Sequence, residues 1–338
     1  MERKIMSLGK SSMVISLPKD WMEMNRLKKG DSVSYAIQRD RALIVYPSNQ
    51  NKNEPQEITI DIGKDDDETL ITQKILGAFL NGYSGIKLLS EKVFTVPQIK
   101  AVRNMTGRLY MRVMESDSKS VYIQSLTDES QASLDQAIQR MHLISRSMCE
   151  DAIRAVCDND VTLAKSVFSL DDDVDQFAFF IIRILRNAAQ DPVLANELHI
   201  DALDCMDHQM LVYRMEHAAD YAADIARHII MLDGYQLKIP DDVLELVVVA
   251  GVEVVELYGK AVGAFFTKDV PYAVDILKHK KIIDSIDVEI ASRAFTGKQK
   301  NAELVCAICS IRDNIKRISH CAINIAEIAI NRSYKIEP

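Results

Sequence analysis

The sequence lacks the long apolar runs that mark membrane proteins. Its most apolar stretch, residues 244–255, is interrupted by two glutamates and a glycine, whereas a membrane-spanning helix needs roughly 18 consecutive apolar residues. The N-terminus also lacks the apolar core of a signal peptide, because strand-like sequence follows Arg3 and Lys4 directly. We therefore predict a cytoplasmic protein with no membrane insertion.

Cysteine is scarce, and its six positions do not have the spacing of a disulfide-stabilised secreted domain. Cys306 and Cys309 form a lone C-x-x-C pair without a second pair of ligands, so we interpret them as core residues rather than a metal or redox site. A nucleotide-binding loop is absent as well. Gly9-Lys10-Ser11 resembles the end of a P-loop, but Lys4 stands where that motif requires glycine.

Acidic residues outnumber basic ones, and the two kinds are unevenly spread along the chain. The formal net charge of all 338 residues is −8. Residues 1–50 nevertheless carry nine Lys and Arg against five Asp and Glu, a net charge of +4, so the remainder has a net charge of −12. Because positive charge attracts polyanions, we expect only this N-terminal part to bind one.

Residues 1–47 alternate apolar and polar side chains, which predicts short strands near 5–8, 13–17, 32–38 and 42–46 with a helix over 19–26. A mostly-β unit of this length buries too little apolar surface to be stable alone. Intertwining with a second copy would supply the missing core. We therefore predict a homodimer.

This N-terminal segment resembles the SpoVT-AbrB swapped-hairpin domain. The residues that carry the resemblance are Ser7-Leu8-Gly9-Lys10-Ser11-Ser12, Ile15-Ser16-Leu17-Pro18, Leu27-Lys28-Lys29-Gly30-Asp31 and Ala42-Leu43-Ile44-Val45. The family forms intertwined dimers and commonly binds DNA through basic residues of the first hairpin. The resemblance implies DNA contacts by Arg3, Lys4, Lys10 and Lys19. The alternative is that these charges only solvate a dimerisation module.

A polar linker at 48–55 separates this head from a predicted α/β connector domain over 57–127. The pattern predicts strands at 58–62 and 85–89, helices at 68–80 and 96–109, and one or two strands within 112–126. Three aspartates, 65–67, are placed to cap the first of these helices. The connector shows no motif that points to chemistry.

From residue 128 onward, apolar residues recur at helical period. We predict helices near 130–157, 160–190, 203–232, 240–267, 269–294 and 301–332. The two halves, 128–234 and 235–335, align with each other and indicate an internal duplication of a three-helix unit. The predicted fold class is multi-domain: a small all-β swapped-hairpin head, a small α/β connector and an all-α body of two tandem three-helix bundles.

Two acidic pairs in the first half, Asp171 with Asp175 and Glu216 with Asp220, are spaced by four residues. This spacing places both carboxylates of a pair on one helix face, and two adjacent helices would gather four of them into a seat for a metal ion. Asp172 and Asp224 are possible additional ligands. The alternative is that residues 171–173 cap a helix restarting at 169, but the lack of Gly and Pro between 161 and 189 favours a continuous helix.

The duplicated unit resembles the PhoU family over 128–335. The best local match is Lys316-Arg317-Ile318-Ser319-His320-Cys321-Ala322-Ile323-Asn324-Ile325-Ala326-Glu327, similar to an ERxxDHAxNIAE-like helix. The family's acidic motifs are associated with multinuclear metal clusters, often iron. In the second repeat, Lys280, Lys316 and His320 stand where three of the acids should be, with Asp284 retained. The resemblance therefore implies a metal ion, iron or another divalent or trivalent cation, in the first repeat only.

An AbrB-like head on a PhoU body resembles archaeal phosphate uptake regulators. The function we expect is regulation of phosphate uptake or phosphate-responsive genes, with a DNA-binding head and a body that contacts a phosphate transporter component or a signalling protein. One alternative is a transporter-docking regulatory protein whose head only dimerises it. Another is a metal-storing helical protein. The clustered carboxylates lack an evident nucleophile, so we do not expect an enzyme.

Overall fold

The structure, a computed structural model, describes residues 2–9, 12–37, 41–47, 56–126, 133–296 and 301–336. The chain divides into two compact units, the head up to residue 54 and everything from 55 onward. In the described part of the chain, no helix is both long and apolar enough to cross a membrane.

The head consists of two antiparallel hairpins and one short helix. The first hairpin pairs β1 (Met6–Leu8) with β2 (Ser12–Val14), and the second pairs β3 (Val33–Ile37) with β4 (Leu43–Pro47). Between them, α1 (Lys19–Met24) begins after the N-cap Pro18, whose fixed φ suits the start of a helix. The predicted order of elements is confirmed, although β2 is shorter than expected.

The head has almost no core of its own. Among its described residues, Leu27 is the one buried apolar side chain. Large apolar side chains of its strands and their flanks are exposed instead: Ile5, Met6, Leu8, Met13, Ile15, Tyr35, Ile37 and Leu43. This much exposed apolar surface on so small a unit indicates that another surface covers it.

The connector is a two-layer α/β unit, as predicted. Its elements are β5 (Glu57–Asp61), α2 (Glu68–Leu80), β6 (Gly85–Leu89), α3 (Val96–Arg108), β7 (Met111–Ser116) and β8 (Ser120–Ser125). The sheet order is β5-β6-β8-β7, with β5 parallel to β6 and the other neighbours antiparallel. Asp67 caps α2 by accepting from the Leu70 amide, which confirms the predicted cap.

The body is entirely helical in its described residues. The first repeat contains α4 (Leu134–Asp158), α5 (Val161–Ser169), α6 (Asp171–Gln190), α7 (Pro192–Glu197) and α8 (Ala202–Gly234). The second contains α9 (Asp241–Thr267), α10 (Val270–Lys278), α11 (Lys280–Thr296) and α12 (Ala302–Ser333). The long helices α8 and α12 pack against each other, and one continuous apolar core runs through both repeats.

The duplication is visible in local detail. Each repeat has a long helix that ends on a left-handed residue, Asn159 with φ of +50° or Lys268 with φ of +54°. An aspartate then caps a nine-residue helix, Asp160 before α5 and Asp269 before α10. The same stop and restart signals thus occur at matching positions of both repeats.

Two helices that were predicted to be continuous are each divided into two in the structure. The helix expected over 160–190 is broken at Leu170, and the one expected over 269–294 is broken at His279. At the first break the Leu170 amide bonds to the Val167 carbonyl, so the i→i−4 series stops and restarts. Three aspartates, 171–173, then lie in the first turn of α6, where the helix dipole favours negative charge. The alternative that a helix restarts here was therefore correct, but α6 begins at Asp171 rather than at 169, and none of the three aspartates caps it by a side-chain hydrogen bond. Helix α7 was not predicted.

The C-x-x-C pair was also partly misjudged. Cys306 is exposed and Cys309 half-buried, and both are free cysteines. The core-packing interpretation is therefore wrong for Cys306. Both residues lie on α12, where a spacing of three places them on neighbouring positions of one helix face.

Candidate metal centre

Two packed helices, α6 and α8, bring the predicted acidic pairs together. Asp175 on α6 and both Glu216 and Asp220 on α8 each offer a carboxylate oxygen, and these three oxygens lie within 4.8 Å of one another. Asp171, one turn before Asp175, faces the same cluster and interacts with Asp220. The spacing of four on each helix is what aligns these side chains.

One oxygen of this cluster has no internal partner. Asp171 Oδ1 is buried and accepts no hydrogen bond from the described residues. A buried acceptor without a donor is costly, and such an atom commonly marks the place of a water or an ion. The two possible additional ligands lie at the rim instead, because Asp172 is 71% exposed and Asp224 pairs with Arg227 at 2.7 Å.

The electrostatics of the cluster disfavour four bare carboxylates. Burial, together with the neighbouring acids, raises the pKa of Glu216 to about 8, that of Asp220 to about 7 and that of Asp175 to about 6. Burial also raises the pKa of Asp171. The cluster therefore holds either protons or a cation at neutral pH.

Arg108 is the residue of this site that sequence analysis missed. It ends helix α3 of the connector, and its Nη2 lies 2.5 Å from Asp172 Oδ1 and 2.7 Å from Asp175 Oδ2. This guanidinium lowers the pKa of Asp175 and so opposes the effect of burial. An arginine 67 residues away from its partner leaves no local pattern in the sequence that could have revealed the contact.

The donor set fits a hard or borderline cation. Carboxylate oxygens suit Mg²⁺, Mn²⁺, Ca²⁺ and iron better than they suit structural zinc. His217, whose Nε2 lies 3.4 Å from Glu216 Oε2, could add one nitrogen. The cluster therefore fits the metal that the sequence analysis placed at these residues.

The matching place in the second repeat contains cations of the chain itself. Lys316 Nζ lies 2.9 Å from Asp287 Oδ2 and 3.6 Å from Asp284 Oδ1, while Arg312 Nε lies 3.1 Å from Asp287 Oδ1. Asp287 is buried. It aligns with Ala178, which is not acidic, so the acidic positions of the first repeat gave no reason to expect a ligand there. In the described residues, three-ligand acidic clustering occurs in the first repeat alone.

The candidate DNA-contacting residues of the head are placed in part. Arg3 and Lys4 are exposed beside β1, and Lys19 is exposed on α1, where its Nζ lies 3.6 Å from Glu23 Oε1. Lys10 lies outside the described residues. The three described residues are thus exposed at the surface, with Lys19 beside an acidic neighbour.

Comparison with known families agrees with both resemblances. The model of the PhoU domain matches residues 138–229 and 249–329, about half of the chain in two copies, and the model described as "Antidote-toxin recognition MazE, bacterial antitoxin" matches 7–53. The chain belongs to the PhoU family, with a MazE/AbrB-like domain at its N-terminus. No curated protein matches the chain.

Two solved structures share the fold of the body. PhoU from Pseudomonas aeruginosa is 23% identical with a TM-score of 0.53, covering 58% of this chain and 93% of its own. The phosphate transport system regulatory protein PhoU from Streptococcus pneumoniae is 16% identical with a TM-score of 0.52, covering 61% of this chain and 95% of its own. These similarities confirm the helical fold, while the archaeal type stays a prediction.

Proposed function

We propose that this protein regulates phosphate uptake, through a dimeric DNA-binding head joined to a metal-binding PhoU body. The observation that carries the proposal is the union of the two domains in one chain: a MazE/AbrB-like head and two PhoU repeats. One structural neighbour is named as a regulatory protein of a phosphate transport system. If the head binds DNA, a change in the body could alter the expression of the gene to which the head is bound.

The exposed apolar side chains of the head support the dimer. Met13, Ile15, Tyr35 and Ile37 are exposed in the single chain, which is the pattern expected when two copies share one core. A second copy of this chain is the occupant that the MazE/AbrB-like match favours. Dimerisation would also bring two sets of basic residues to one DNA duplex.

The body's part in the proposal rests on the acidic cluster. Asp171, Asp175, Glu216 and Asp220 would hold the metal, with Asp172 and Asp224 at the rim. A bound cation would supply positive charge that offsets part of the negative charge of these four carboxylates. The apolar packing of α6 against α8 holds these carboxylates close together. We assign the cluster no catalytic role.

The rival function is docking onto a transporter component by a protein whose head only dimerises. The composition of α1 favours this rival, because Asp20 and Glu23 lie on the same helix as Lys19 and leave it net negative. Purification of the protein from phosphate-replete and phosphate-starved cells, with sequencing of bound DNA, separates the two functions. The proposed function requires enriched DNA fragments in one of the two states. Enrichment of proteins without DNA in both supports the rival.

Replacing Lys10 and Lys19 by glutamate should abolish DNA binding by the full-length protein. Each protomer loses two positive charges and gains two negative ones, so attraction to phosphates is reversed. Titration with a labelled duplex at low salt should show an affinity loss of at least tenfold, and wild-type affinity should fall steeply as salt rises. The matched control is Lys92→Glu with Lys119→Glu, an equal charge change at exposed connector positions. Equal losses in both variants would contradict a specific role for the head.

A further inference from the structure

The connector is attached to helix α6 of the body at two places. The first attachment lies on the C-terminal half of α6. There Arg183, 3% exposed, donates to the carbonyls of Phe79, Gly82 and Tyr83, and Arg186 donates to the Leu80 carbonyl. The Phe79 and Leu80 carbonyls lie in the last turn of α2, and those of Gly82 and Tyr83 lie in the loop that follows it, where no further helical turn supplies amide donors.

This first attachment is closely packed. Gly82 has a φ of +93°, and a Cβ at that position would lie 2.5 Å from Asn187 Oδ1, so the connector backbone lies directly on α6. The Arg183 guanidinium also stacks over the Phe79 ring at 4.5 Å. The buried Arg183, with its several hydrogen bonds, fixes the end of α2 against α6.

The second attachment lies at the N-terminal end of α6 and is of a different kind. Arg108 of α3 is 37% exposed. Within the described residues, its partners are the carboxylates of Asp172 and Asp175. Beside it, Tyr110 meets Phe180 edge to face at 6.2 Å between ring centroids. Asp175 belongs at the same time to the acidic cluster. The guanidinium is thus bound to a carboxylate that also belongs to the candidate metal centre.

We propose that Arg108 competes with the metal for Asp175, so that metal binding releases the α3 end of the connector while the α2 end stays attached. This proposal rests on the metal centre of the proposed function. A cation among the four carboxylates would repel the guanidinium and would weaken its attraction to Asp175. Asp175 and Arg183 are eight residues apart on α6, about 12 Å along the helix, so release at one end leaves a pivot at the other.

In the second repeat, the cations that pair with the acids come from the repeat itself and not from the connector. Lys316 lies on α12 of the body and bridges Asp284 and Asp287, and Arg312 of the same helix binds Asp287. Those cations belong to the repeat that they neutralise. In the first repeat the positive charge is Arg108 of the connector, so displacing it would loosen the contact between α3 and α6.

If Arg108 instead supports metal binding, its removal should change the metal affinity in the opposite direction. If the guanidinium only orients Asp175 for the metal, as hydrogen-bonding groups outside a metal's own ligands commonly do, its removal should weaken metal binding by about 10–100-fold. If it competes, its removal should tighten binding by about fivefold, the upper range for a partly exposed ion pair. The sign of the change distinguishes the two roles.

The test is a calorimetric titration of the full chain with Mn²⁺, comparing wild type, Arg108→Ala and Arg103→Ala. Arg103 is the matched control because it is an exposed arginine of the same helix. Hydrogen exchange of residues 96–116 is measured on the same samples with and without metal. We expect tighter binding in Arg108→Ala alone, faster exchange on metal addition in wild type, and equally fast exchange in metal-free Arg108→Ala.

The outcomes separate this proposal from the function on which it rests. Weaker or unchanged binding in Arg108→Ala, with wild type binding metal, overturns the competition and leaves the metal centre standing. Exchange in 96–116 that does not respond to metal or to the variant overturns the release. No Mn²⁺ binding by any variant overturns the metal centre itself, and the competition with it.

Discussion

Replacing Asp175 and Asp220 together by asparagine is expected to abolish metal binding by the purified protein. The two substitutions remove one charged ligand from each helix of the cluster and halve its formal charge of −4. Elemental analysis of protein purified without chelator should show metal content falling to background. The stabilisation of the fold by added metal, about 2.7 kcal/mol at 100 times the Kd, should be lost as well.

The second repeat supplies the control for this experiment. Asp284 and His320 occupy the positions that match Asp175 and Asp220, so Asp284→Asn with His320→Asn substitutes the matching positions of the repeat in which Lys316 pairs with Asp284. This control should keep the wild-type metal content. Equal metal content in wild type and in the first-repeat variant would refute the assignment of ligands.

Replacing Met13 and Ile15 by aspartate should unfold the head and dissociate its dimer. Both side chains are exposed in the single chain, and burying an apolar side chain in a shared core contributes about 1.5–3 kcal/mol each. Buried carboxylates would add a further cost. Trp21 is the single tryptophan of the chain and lies in α1, so its fluorescence reports the head alone.

Urea unfolding followed through Trp21 provides the measurement. In wild type, the midpoint should rise with protein concentration, because folding of the head is coupled to dimerisation. In the double variant, Trp21 should show unfolded emission at all concentrations. The control Ile336→Asp, at a position 91% exposed near the C-terminus, should leave the midpoint unchanged. A concentration-independent midpoint in wild type would rule out the shared core.

The sequence predicted the features of this fold that depend on local patterns. Strand alternation marked the hairpins of the head, the duplicated stripes marked the two repeats, and acids four residues apart marked one face of α8. The break at Leu170 was missed because no Gly or Pro marks it. The three aspartates that follow were the available signal, since carboxylates favour the first turn of a helix.

The contacts that the sequence could not reveal are between distant segments. Arg108 reaches Asp175 across 67 residues, and Lys316 reaches Asp287 across 29. Nothing about a lysine or arginine on a helix specifies which carboxylate it meets, because that depends on how α3, α6, α11 and α12 pack. The sequence predicted the difference in charge between the repeats, including Lys316. It did not reveal that Arg312 and Asp287 also belong to the charged group of the second repeat.

Anomalous diffraction from a crystal grown with Mn²⁺ tests the central claim most directly, namely that the two repeats differ in holding a metal. We predict anomalous density between α6 and α8, within coordination distance of Asp175, Glu216 and Asp220, and none between α11 and α12, where Lys316 lies beside Asp284 and Asp287. Density of equal height in both repeats, or density in the second alone, would contradict the account.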